Sequence, residues 1–89
     1  MMISEKFIII GSDIVSIDKD AVKHYGKRIA FLLAYYAILS KDCVIELDMH
    51  ELTNGDKADI VELLDLELIS KIDHKHNIHT YKLNCVEYL

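Results

Sequence analysis

Residues 29–39 read Ile-Ala-Phe-Leu-Leu-Ala-Tyr-Tyr-Ala-Ile-Leu, with no polar group except two phenol hydroxyls. A membrane span needs about 20 apolar residues, so a run of this length is a buried helix. A helix that is apolar all round must be covered on most sides. In a chain of 89 residues few other elements are available to cover it. That length allows one domain, because two would each lack a core. At 52% hydrophobic residues the chain has the apolar content that disordered segments lack. The expected organisation is a single domain over 1–89, with an N-terminal arm (1–17), a core (18–83) and a C-terminal tail (84–89).

Local signals divide the rest of the chain. Phe7-Ile8-Ile9-Ile10 reads as a strand closed by the turn-forming Gly11-Ser12-Asp13, and Ile14-Val15-Ser16-Ile17 is β-branched and extended. Asp18 is placed to cap a helix over 19–40, with a basic start (Lys19, Lys23, His24, Lys27, Arg28) and the apolar run as its end. Cys43-Val44-Ile45-Glu46-Leu47 alternates as a strand. Asp48 with Glu51 three positions later predicts a capping box and a short helix over 49–53. Asn54-Gly55 reads as a tight turn, and Asp56 opens a helix running to about 69 with Ile60, Val61, Leu64 and Leu68 as its core stripe. The last pattern is a β-hairpin turning at Lys75-His76-Asn77, followed by a tail whose Val86, Tyr88 and Leu89 can pack back on the body.

Arm, long helix, strand, short helix, turn, helix and hairpin, in that order, resemble a winged helix-turn-helix domain over roughly 18–83. The likeness rests on Val44-Ile45-Glu46-Leu47, the short helix with Leu52, the turn at Asn54-Gly55, the run 60–69, and Lys71 and Tyr81-Lys82-Leu83 in the hairpin. The arm and Tyr-rich first helix also resemble the N-terminal domains of phage and plasmid replication initiators of the DnaD-like kind. The resemblance implies an α+β fold, with three helices, a small antiparallel sheet and a hairpin wing. It also implies DNA binding with the second helix of the motif in the major groove, in control of transcription or replication. Glu51, four positions before Gly55, departs from that pattern, where a small residue is normal.

Charge redirects the DNA expectation. The formal net charge is −5, but it is unevenly placed: residues 43–70 carry eight carboxylates against one lysine, Lys57, while both flanks are slightly positive. Carboxylates repel phosphate, so the acidic third helix is a poor reader of DNA. Any DNA contact is expected from Lys19, Lys23, Lys27 and Arg28 at the start of the first helix and from Lys71, Lys75 and Lys82 in the wing. The alternative is a protein-interaction module or inhibitor, with Asp59, Glu62, Leu63 and Leu66 as a binding face opposite the core stripe. Gly26, Ala30 and Ala34 form a small-residue stripe that suits packing within the chain or contact with a second copy. The homodimer is the reading taken here.

Other chemistry finds little footing. Only three glycines are present, there is no G-x-S-x-G, Walker or HExxH pattern, and no enzyme is expected. Cys43 and Cys85 show no CxxC spacing and read as reduced thiols of a cytoplasmic protein. His74, His76 and His79 cluster in the hairpin, but four zinc ligands are not assembled by spacing, so no metal or cofactor is expected. Their expected effect is to add positive charge to the wing as pH falls towards about 6.5.

Overall fold

The computed structural model describes residues 6–89; residues 1–5 of the expected arm lie outside them. The chain opens with β1 (Ile8–Ile10) and β2 (Val15–Ile17), an antiparallel pair joined across Gly11-Ser12-Asp13. Two helices follow, α1 (Lys19–Tyr25) and α2 (Lys27–Leu39), then β3 (Val44–Asp48) and α3 (Asn54–Asp65). The chain ends with β4 (Ile69–Lys75), β5 (Ile78–Leu83) and β6 (Val86–Tyr88). The fold is α+β, with three helices among the described residues and a small antiparallel sheet ordered β3-β5-β4. A second sheet, β2-β1-β6, pairs the arm with the tail: β6 lies parallel to β1, with Ile8 opposite Val86 and Ile10 opposite Tyr88.

Three expectations about the helices need correction. The helix expected over 19–40 is two helices. Gly26 sits at φ 90°, ψ 155°, which ends α1 and precedes α2. That backbone region belongs almost wholly to glycine. The helix expected over 49–53 is a turn. Asp48 Oδ1 accepts from His50 N at 3.0 Å and Asp48 O accepts from Glu51 N, so Asp48 closes a turn and caps no helix. The capping box belongs instead to Thr53 and Asp56. Asp56 N donates to Thr53 Oγ1 at 3.0 Å and Thr53 N donates to Asp56 Oδ2 at 3.1 Å. Asn54 and Gly55 therefore form the first turn of α3 rather than a turn before it.

One core joins both sheets to the helices. Phe7, Ile8 and Val86 meet Leu33 and Ala37 of α2, and Ile45, Ile60, Leu63, Leu68, Tyr81 and Leu83 complete the cluster. Ala30 and Ala34 are buried, and so are Ile29 and Tyr36. The small-residue stripe of α2 thus packs within the chain, and only Gly26 of the expected dimer set is exposed. In α3 the buried pair is Ile60 and Leu63, while Val61 is 55% exposed. The core-facing set therefore differs from the expected stripe: Leu63 takes the place of Val61, and α3 ends at Asp65 rather than near 69, so Leu68 is buried beyond the helix.

Candidate functional site

The rotation of α3 dismantles the face expected to bind a protein. Leu63 is fully buried, and Leu66 alone of the two leucines keeps exposed surface. Asp59 and Glu62 turn towards α2. Arg28 Nη1 donates to Asp59 Oδ1 at 2.8 Å and Arg28 Nη2 donates to Glu62 Oε1. The hydrogen bond to Glu62, then its charge, raise the Arg28 pKa above its ordinary value. A guanidinium held by two carboxylates has spent its charge on the α2–α3 junction. Arg28 therefore drops out of the basic set.

Six lysines remain. Lys19 and Lys23 lie on α1, Lys27 opens α2, and all three are exposed. Lys71 and Lys75 are exposed on β4 and Lys82 on β5. Arg28 makes both of the ion pairs found among the described residues, so none of these lysines is held by a carboxylate. Helical layer and hairpin differ, however. The register of β3-β5-β4 puts Lys75 and Lys82 on the open sheet face together with Glu46, Asp48 and Asp73. Lys71 projects from the other face, beside His74, His79 and Tyr81. The helical start is the less mixed of the two basic areas.

The hairpin carries a side-chain group that sequence spacing alone does not reveal. A register shift between Lys71 and Asp73 brings His74 opposite His79 on the face that also carries Tyr81. The two imidazole rings lie 4.2 Å apart between centroids. Lys71 Nζ is 3.3 Å from His74 Nδ1, and His74 Nε2 is 2.9 Å from the carbonyl oxygen of His76. An ammonium only donates, so Nδ1 accepts, and Nε2 carries the proton and donates to the carbonyl. His79 Nδ1 lies 3.1 Å from the Tyr81 hydroxyl. Burial, then the charges of Lys71 and His74, lower the His79 pKa below its ordinary value. Burial raises that of the Tyr81 phenol. No group of three or more His, Cys, Asp or Glu among the described residues is arranged to hold a metal ion.

The lowered His79 pKa has a definite sign. The unfolded chain takes up a proton near pH 6.5 while the folded chain resists it, so protonation favours unfolding. The His79 contribution to stability is complete above 6.5 and is lost as pH falls from there through the folded pKa. Urea midpoints are expected to drop between pH 7.5 and 5.5, and His79→Gln is expected to shrink that drop. A pH response identical in the variant would show that His79 does not supply it.

No family model, curated protein or solved structure matches the chain. No helix among the described residues is long and apolar enough to cross a membrane. Cys43 and Cys85 form no disulfide, and each is half-buried. A cleft of about 500 Å³ opens between the end of α2 and β3, lined by Tyr36, Leu39, Lys41, Asp42, Ile45 and Glu46. Beside it runs the feature sequence analysis missed. Phe31, Tyr35, Ile38 and Leu39 stand exposed along α2, each by more than half. The spacing i, i+4, i+7 was legible, but in a run with no polar face it does not say which side faces out.

Proposed function

We propose that the chain is a small regulatory module of winged-helix type that binds nucleic acid in a cytoplasmic setting, without catalysis. Its proposed role is control of transcription or replication, the class of role that the winged-helix resemblance implies. The order α2, β3, α3, β4, β5 supports the winged-helix reading, with β3 pairing to β5 beside the β4–β5 hairpin. The chain would be a reduced form of it, since a turn stands where the first helix of the motif would be.

One observation carries the proposal: the helical lysines make no ion pair, even with Asp18 and Asp20 beside Lys19. Arg28 occupies the α3 carboxylates Asp59 and Glu62, while Lys19, Lys23 and Lys27 stand exposed and unpaired on the adjoining helices. Phosphate contact through these lysines, with the hairpin lysines second, avoids the acidic helix. The alternative of an acidic docking helix loses its anchor, because Leu63 belongs to the core.

Fluorescence anisotropy with a labelled duplex tests the proposal at 50 and 200 mM salt. Binding is expected at 50 mM and is expected to weaken steeply by 200 mM. Lys23→Glu with Lys27→Glu is expected to flatten the slope of log K against log salt by about two, one per lost phosphate contact. Leu66→Asp should leave it unchanged. No duplex affinity at 50 mM would overturn the proposal.

A further inference from the structure

From the exposed face of α2 we infer that the chain forms a two-fold homodimer, with the α2 helices of two copies packed antiparallel through Phe31, Tyr35, Ile38 and Leu39. The dimer draws on Lys27, which leaves Lys19 and Lys23 as the helical lysines of the nucleic-acid reading.

The first argument is area. These four residues are 56%, 56%, 59% and 59% exposed. At roughly 200 Å² per large side chain, they leave on the order of 400 Å² of apolar surface in one stripe. Isolated exposed leucines need no explanation, but a continuous patch of this size marks an interaction site. A stable interface covers about 800 Å² per partner, so the stripe supplies about half and its flanks the rest. The expected dimer is accordingly weak, with a Kd above about 1 µM.

The second argument is self-complementarity, and it selects a second copy. Lys27 and Arg28 occupy the first turn of α2, and the helix has no acidic residue in its first turn and no basic residue in its last. Cations at the N-terminus and none at the C-terminus oppose the helix dipole. Arg28 is neutralised by Asp59 and Glu62, but Lys27 is not. Just past the other end of α2 stand the exposed Lys41 and Asp42, whose charges offset each other and leave the carbonyl end of the helix without a net cation. An antiparallel copy corrects both ends at once. It sets each Lys27 beside the negative end of its neighbour. The apolar residues follow the same symmetry, since Phe31 and Ile38 lie equally far along the helix from a point next to Tyr35. Phe31 then meets Ile38 of the second copy, and Tyr35 lies next to the two-fold axis. A parallel pair would stack Lys27 on Lys27 and align the dipoles unfavourably.

Sedimentation over a concentration series from 10 µM to 1 mM tests the inference. The mass is expected to rise reversibly from 10.3 kDa towards twice that value. Tyr35→Glu and Phe31→Glu change exposed positions, so each is expected to keep the helical signal and melting temperature while weakening the dimer at least tenfold. Orientation is read by oxidation. Tyr35→Cys is expected to form a covalent dimer and Lys27→Cys is not, with the native chain as the control for Cys43 and Cys85. A mass fixed at 10.3 kDa up to 1 mM would overturn the inference and leave the face to a different protein. So would a dimer indifferent to both glutamate substitutions, or cross-linking through Lys27→Cys as efficient as through Tyr35→Cys.

Discussion

Leu63→Ala is expected to cost about 2–5 kcal/mol, the range for emptying a leucine site in a close-packed core. Leu63 has no exposed surface, and its carbonyl accepts from Leu68 N at 3.0 Å where the chain leaves α3 for β4. The deletion therefore opens a void where α3 meets the sheet. A domain this size has a total stability of about 4–13 kcal/mol, so the loss is a large share of it. Leu63→Asp would leave a carboxylate in that void without a partner and is expected to abolish folding. Leu66→Ala, at a position 38% exposed, is expected to stay within about 1 kcal/mol. Urea unfolding of the two alanine variants checks the contrast. Equal, small effects would return Leu63 to the surface and restore the acidic helix as a docking face.

The same pair of leucines shows what the sequence can and cannot specify. The existence of α3 was legible from Ile60, Leu64 and Leu68 at helical spacing. Its rotation was not, because Val61, Leu63, Leu64 and Leu66 place an apolar residue on nearly every side. Two segments also carry a capping-box pattern. Asp48 with Glu51 and Thr53 with Asp56 both carry the right residue types at the right spacing. Only the second forms reciprocal bonds, because Asp48 ends β3 and is committed to a turn. The β4–β5 hairpin was read nearly as it stands, and the two arm segments were read as extended without their antiparallel pairing. The parallel pairing of β6 with β1 joins segments more than 70 residues apart, and no local signal encodes it.

The candidate site was legible to a similar depth. Lys19, Lys23 and Lys27 were identified, and they are exposed. Arg28 was grouped with them by sequence proximity, yet its partners lie 31 and 34 positions away on α3. The Lys71, His74 and His79 grouping depends on a bulge in β4, which reverses the alternation that a regular strand would show. Both misses have one cause: charge on a linear sequence does not say which carboxylate or ring the fold brings alongside.

Gly26→Ala and Gly55→Ala are expected to change stability in opposite directions. On sequence alone Gly26 lies inside a helical stripe and Gly55 lies in a turn, so alanine should suit the first and strain the second. The structure exchanges their roles. Gly26 adopts φ 90° between α1 and α2, while Gly55 lies in the first turn of α3 without a positive φ. A Cβ at Gly26 would meet nothing within 4 Å, so its cost is purely conformational. A backbone forced into that region costs on the order of 1–3 kcal/mol. At about 4–8 °C per kcal/mol, the melting temperature should fall visibly. A Cβ at Gly55 would lie 3.7 Å from Thr53 Oγ1, an ordinary contact. Alanine there restricts the unfolded chain at no native cost and is expected to add about 0.4–1 kcal/mol. Thermal melts followed by circular dichroism read both variants. If Gly26→Ala instead raised the melting temperature and the helical signal together, α1 and α2 would run as one helix in solution. The break at Gly26, which sets Lys19 and Lys23 on a helix separate from that of Lys27, would then be lost as a feature of the nucleic-acid surface.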